Sequence, residues 1–323
     1  MTEPLRPMST GQLLDHTFAL YRKNFWLFVG IASLGPAANV VFQLLAVGSN
    51  VGSPFSANNR AATAAVMARL GFTLFVGYLV MLAGLAISHA ATVKAVAAVH
   101  LGQQTSVLGA YKALWGRLLS LLGTCLLILL WMALWMFLAV IVMMAIIIPT
   151  SLLLRTGRVA PPGPAAAVLA GLVVFAVIAL VFAGFIAIYV RYALAIQACM
   201  VENLGPFASL KRSVFLSKGS RWRVVVIYLV FLALSLILGM GLGGIAGGAG
   251  ALLHNKIAAA VLVYLAGFIA GSITGPLATI GLSLLYYDER VRKEAFDLQL
   301  MLSSLDVPGA PSAAAEQATP AQV

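Results

Sequence analysis

The sequence predicts an all-α polytopic membrane bundle of six transmembrane helices, with amphipathic helices lying on its cytoplasmic face. Three observations predict it. Of 323 residues, 62% are hydrophobic and only 9% charged, and the mean hydropathy is +1.02, far from the composition that covers a soluble surface. Six apolar runs reach the roughly 20 residues that a bilayer core about 30 Å thick requires. The cations are unevenly distributed: 15 of the 20 Lys and Arg fall in segments 1–24, 94–117, 191–223 and 285–323, and 5 in the intervening ones. Lys and Arg concentrate on the cytoplasmic side, so both termini are expected there.

The first 24 residues contain no apolar core of a signal peptide, and the first span is expected to stay in the mature protein. "STGQ" at 9–12 fits a capping box, with Ser9 and Gln12 as the reciprocal pair, and opens an amphipathic stretch "LLDHTFALYRK" at 13–23 with Leu14, Phe18 and Tyr21 on one face. The first span, 25–47, carries Gly35, Pro36 and Asn39, and Pro36 predicts a kink. The second, 72–93, has His89 near its end, a turn from the interface and read as a hydrogen-bonded packing residue. "VLGAYKALWGR" at 107–117 repeats the amphipathic pattern before the third span, 118–148, where Trp131 and Trp135 share a face and read as helix packing. The fourth span is 166–190. Pro206 marks a first helical position before "ASLKRSVFLSK" at 208–218 and the fifth span, 224–252.

The fifth span and the sixth, 257–287, are the least regular. Gly239, Gly243 and Gly247, then Gly267, Gly271 and Gly275, repeat every four residues, so two glycine seams could meet face to face. A re-entrant loop over 239–250 is the competing reading. Pro276 predicts a second kink. The three amphipathic stretches align without gaps on Leu20, Leu114 and Val214 and on Tyr21, Trp115 and Phe215. The chain therefore reads as one integral membrane domain over 1–305. It comprises three units of surface helix plus two spans, at about 9–93, 105–190 and 206–287, an amphipathic helix over 286–302 and a disordered tail over 306–323.

Charge crowds into "LYYDERVRKEAFDLQLML" at 285–302. Asp288 with Arg292 and Glu289 with Lys293 are acid-before-base pairs four apart, the favourable order on a helix; exposed pairs of this kind contribute about 0.3–0.5 kcal/mol each. They read as solubilising the point where a helix leaves the membrane, with Tyr286 and Tyr287 at headgroup level. A docking surface formed by Tyr287, Asp288, Arg290, Arg292, Lys293 and Glu294 is the sharper alternative. Net charge of +11 does not signal nucleic acid, because the cations lie between apolar runs; the expected partners are anionic lipid headgroups and an unidentified membrane protein. Cys125 and Cys199 read as small hydrophobes. His89 and His100 lack a third ligand, the spans hold no carboxylate pair, and no GxSxG, HExxH or GK[ST] motif is present. No cofactor, metal or catalytic residue is expected.

"LYYDERVRKEAFDLQLM", "LLDHTFALYRKNF" and "NLGPFASLKRSVFLSKGSRWRV" resemble three cytoplasmic stretches of uncharacterised bacterial six-helix integral membrane proteins. That family is related to the membrane domain found beside some glycerophosphoryl diester phosphodiesterases. Ala295 stands where a Gly is usual. The resemblance implies a bacterial inner-membrane domain without the phosphodiesterase barrel, whose activity is not carried over. The expected function is that of a non-enzymatic scaffold or accessory membrane component; the alternative is a permease for a neutral or amphiphilic solute, motivated by the kinked spans and the repeat.

Overall fold

The computed structural model describes residues 8–49, 60–100, 102–155, 163–252 and 256–294. Among the described residues the regular structure is helical throughout. Helix α1 (Thr10–Lys23) begins with the expected capping box: Ser9 Oγ accepts from the Gln12 N–H, and the Gln12 side chain accepts from the Ser9 N–H. Helices α2 (Phe25–Ala32) and α3 (Leu34–Ser49) form the first span, interrupted for one residue at Ser33. Helix α4 (Arg60–His100) returns as the second. Helix α5 (Val107–Lys112) and a 3-10 turn at Trp115–Arg117 lead into α6 (Leu118–Arg155), followed by α7 (Pro164–Arg191). A short α8 (Ala195–Val201) and α9 (Pro206–Ser217) precede α10 (Arg221–Leu252) and α11 (Lys256–Glu294).

Six helical segments are long and apolar enough to cross a membrane: Phe25–Leu45, Val66–His100, Val107–Ala145, Gly171–Val201, Arg221–Leu252 and Ala258–Glu294. Each expected span has its counterpart. Helices of 38 to 41 residues, such as α4, α6 and α11, run close to 60 Å at about 1.5 Å per residue and so overshoot a 30 Å hydrocarbon core. Residues 239–250 lie within the uninterrupted α10, so the helical reading holds there and the re-entrant loop does not. The tail at 306–323 and the far part of the 286–302 helix lie outside the described residues.

Burial is concentrated at one end of the bundle, where Leu13, Phe28, Val96, Leu216, Ile227 and Leu285 form a closed core. Helices α6 and α7 bury almost nothing along their apolar stretches: Leu119 is 87% exposed and Phe175 69%. Apolar side chains left outward over whole helices are what lipid solvates.

The short helices turn differently from the expected faces. In α1 the buried stripe is Leu13, Thr17 and Tyr21, while Phe18 is exposed; in the second unit Ala110 and Leu114 are buried and Leu108 and Trp115 face outward. Leu20, Leu114 and Val214 are all at least partly buried, but of the aligned aromatics Tyr21 is buried while Trp115 and Phe215 are exposed. Hydrophobicity marked these stretches as amphipathic without telling protein-facing from outward-facing apolar positions.

The glycine seams require a correction. A Cβ added at Gly239, Gly243, Gly247, Gly267 or Gly275 would meet nothing within 4 Å, so these residues do not bring α10 and α11 together. The close approach occurs at Gly250, where a Cβ would come within 2.7 Å of Ala259 Cα. Gly271 does serve packing, against Pro36 Cγ at 3.0 Å and not against α10. Spacing of four places glycines on one face but does not decide which neighbour that face meets.

Candidate functional site

At the buried end, the charged run of α11 folds inward. Asp288 and Glu289 are each 3% exposed. Arg223, at the start of α10, reaches Asp288 at 2.6 Å and Glu289 at 2.9 Å, while Arg292 and Lys293 close the i,i+4 pairs at 2.8 and 3.2 Å. The Met8 N–H donates to Asp288 Oδ1 at 2.6 Å, so the beginning of the described chain and the end of α11 meet at one end of the bundle. Arg212 of α9 grips Glu294 with two guanidinium nitrogens and pairs with Glu202 at 2.7 Å. The bond to Glu294 is the main cause that raises the Arg212 pKa, and the same bond lowers that of Glu294. Lys293 donates to the carbonyls of Phe215, Leu216 and Lys218, the open C-terminal end of α9, where a cation opposes the negative end of the helix dipole.

This arrangement corrects the expectation of a solubilising surface with tyrosines at headgroup level. Tyr286 is fully buried and donates to Glu202, and Tyr287, 9% exposed, stacks on His100 at 5.2 Å. The pairs Asp288–Arg292 and Glu289–Lys293 form as expected, Arg290–Glu294 joins them, and they belong to an internal network that ties α11 to the end of α8, to α9 and to α10. Of the residues expected to dock a partner, Tyr287, Asp288 and Glu294 are turned into that network; the Arg292 side chain is 39% exposed.

The two prolines act differently from each other. Pro36 has no N–H to give the Ala32 carbonyl, and the helix breaks at Ser33. The freed carbonyls are satisfied from neighbouring helices: Ser88 Oγ lies 3.2 Å from both the Ile31 and Ala32 oxygens, and the Tyr111 hydroxyl donates to Ile31 as well. Pro276 leaves α11 continuous, and the Tyr21 hydroxyl donates to the Ile273 carbonyl beside it at 2.7 Å.

Beside the Pro36 break lies a cavity of about 370 Å³ between α3, α4, α10 and α11. Its polar lining consists of Asn39, Ser88, His89, Thr92, Ser235 and Thr274, and Gly267, Gly271 and Gly275 leave the space open on the α11 side. No Asp, Glu, Lys or Arg lines it. Three hydroxyl protons are already engaged: Ser88 with the α2 carbonyls, Thr92 with Ser88 O at 2.9 Å and Thr274 with Ala270 O at 2.9 Å. A hydroxyl has one proton and two lone pairs, so these oxygens still accept. The wall is therefore rich in acceptors, with His89 its one titratable group among the described residues.

Pro36 and Asn39 were legible as a kink and His89 as a packing residue near the end of the second span, and the fold brings all three to one cavity. Ser88, Thr92, Ser235 and Thr274 were missed because each sits singly in an apolar run. The available signal was the four-residue spacing of Ser88 and Thr92 around His89. Trp135 packs α6 on α7, donating to the Val181 carbonyl at 3.0 Å and filling the notch at Gly184; Trp131 is 49% exposed. Searches of family models, curated proteins and solved structures found no match to the chain.

Proposed function

We propose that the chain is a multi-pass protein of the bacterial inner membrane, with both termini in the cytoplasm, and that it works as a permease for a small neutral, hydroxyl-bearing solute. The observation that carries this reading is the acceptor-lined cavity at the Pro36 break. Helices broken inside a bilayer tend to mark solute sites, because irregular backbone is tolerated there only where it lines a cavity or is satisfied by neighbours. With no Asp, Glu, Lys or Arg in the lining, the cavity offers no counter-charge to an ionic solute, and a neutral one fits. The reading is non-enzymatic. The cation bias, and the meeting of Met8 with Asp288, support a shared cytoplasmic side for the two ends.

The other reading, a scaffold or accessory component for an unidentified membrane partner, has less support because the charged residues that would dock a partner bind one another.

The experiment is solute flux into proteoliposomes followed by light scattering, with glycerol as the probe. Glycerol entry should exceed that of protein-free vesicles. Gly267→Leu places a side chain in the cavity where nothing lies within 4 Å of the new Cβ; it should abolish the excess, with the thermal midpoint in detergent showing that the fold is kept. Equal entry with and without the wild-type protein would refute the reading.

A further inference from the structure

A second cavity, of about 250 Å³, lies toward α6 and α7 and shares only Leu85 and His89 with the first. Its walls are largely hydrocarbon, including Leu82, Leu129, Met132, Ile196 and Leu282. Polar groups interrupt the hydrocarbon, with Tyr189, Tyr192, Tyr228, Thr279 and His89 also in the lining, and one polar atom stands apart from them. Gln197 of α8 is 3% exposed, lines this cavity, and its Oε1 is enclosed without a hydrogen-bond partner. Buried acceptors are almost always paired, because an unpaired one forfeits its hydration with no return. Tyr189, also in the lining, is 42% exposed on α7, so the cavity reaches the apolar outer surface of the bundle.

We infer that this cavity is a binding site for a neutral lipid-like amphiphile carrying a hydroxyl group, with the hydroxyl donating to Gln197 Oε1 and the hydrocarbon lying against α6. Each part of that description follows from the wall. The unpaired carbonyl oxygen demands a donor. The absence of any Asp, Glu, Lys or Arg from the lining disfavours a phosphate or ammonium headgroup, which would be desolvated without a counter-charge. The volume falls below the roughly 300–1,000 Å³ of pockets that enclose a whole drug-sized ligand; it takes a headgroup and the first part of a chain, the remainder lying in the bilayer. The site adjoins the polar cavity at Leu85 and His89, and Gln197 belongs to this lining alone.

The test uses the full chain in phosphatidylcholine nanodiscs and a photoactivatable diazirine derivative of 1-dodecanol, with labelled residues mapped by mass spectrometry. Label should fall on the peptides of Met132 and Ile196. Unlabelled 1-dodecanol should displace it at about tenfold lower concentration than dodecane, the factor expected of one hydrogen bond to a buried acceptor. Gln197→Met should bring alcohol and alkane to within about twofold of each other, and Met132→Trp, which fills the cavity from the α6 side, should abolish the label. Equal displacement by alcohol and alkane on the wild type would overturn the inference. So would label scattered over the outer faces of α6 and α7, or an undiminished alcohol preference in a folded Gln197→Met protein. Should Gln197→Met not fold, the wild-type comparison and Met132→Trp decide. Glycerol flux is unaffected by this outcome, so the two proposals fail separately.

Discussion

At the scale of single residues, the sharpest consequence concerns Arg223. It is the cation shared by two carboxylates that are almost wholly enclosed, Asp288 and Glu289. Its loss leaves Asp288 to Arg292 and Glu289 to Lys293, so the cost falls short of the roughly 3–5 kcal/mol of a buried charge stranded outright but exceeds that of losing an exposed pair. Arg223→Gln should therefore lower the thermal midpoint in detergent by more than Arg22→Gln on the exposed face of α1. A similar drop for both would mean that the network is no firmer than surface pairs. Tyr21 offers a second check. Burial pushes its hydroxyl pKa from 10.0 to about 12, and a raised folded-state pKa means that its contribution is whole below pH 10 and lost as pH rises through 12. Tyr21→Phe, which takes from the Ile273 carbonyl its second donor, should cost about 0.5–1.5 kcal/mol at neutral pH. Its deficit against wild type should shrink in melts between pH 10 and 12, and a constant deficit would contradict the assignment. The acid-base spacing of 288–294 was legible as helix pairs. The involvement of Arg212 and Arg223 was not, because those partners lie 65 or more positions away in sequence and only tertiary packing brings them close.

At the scale of elements, the interruption between α2 and α3 is the device that shapes the polar cavity. Pro36→Ala restores the N–H that the Ala32 carbonyl lacks and removes the ring that rests on Gly271. Pro36 lies in the first turn of α3, where proline is tolerated, so the variant should stay within about 1 kcal/mol of wild type. Its glycerol flux should nevertheless fall, and unchanged flux in a folded variant would detach the break from transport. Pro36 announced this break in the sequence. Pro276 announced one that α11 does not make, because its i−4 vacancy is absorbed in a helix that Tyr21 props from outside. Helix α8 went unseen because "AIQACMV" continues the apolar composition of α7; the chain turns at Tyr192–Leu194 without a proline or glycine to mark it. In the turn before α10, Gly219 adopts φ +91, where an L side chain is disfavoured by about 1–2 kcal/mol. Gly219→Ala should lower stability by that amount, a loss readable in the same melts.

At the scale of the whole molecule, two opposed regimes share one chain. One end is closed by a core and an ion network like those of a soluble protein, while the long apolar flanks of α6 and α7 are left to lipid. Composition and run length revealed the bundle and its six crossings, because a bilayer tests only length and polarity. They could not reveal which faces meet, since in such a chain inward and outward faces are equally apolar and periodicity loses its meaning. The cavity is the principal casualty of that degeneracy: its polar groups are scattered over four helices and acquire significance only once folded together.

The most direct test is thiol accessibility in intact membranes, on a background in which Cys125 and Cys199 are replaced by Ala. A maleimide reacts with a thiolate, and a thiolate forms where water reaches. Gly275→Cys, facing the cavity, should react with N-ethylmaleimide and be shielded when Gly267→Leu is added. Ile237→Cys, on a residue 72% exposed toward lipid, should stay unreactive. Labelling at Ile237→Cys that equals or exceeds labelling at Gly275→Cys would contradict a hydrated cavity enclosed by membrane-spanning helices.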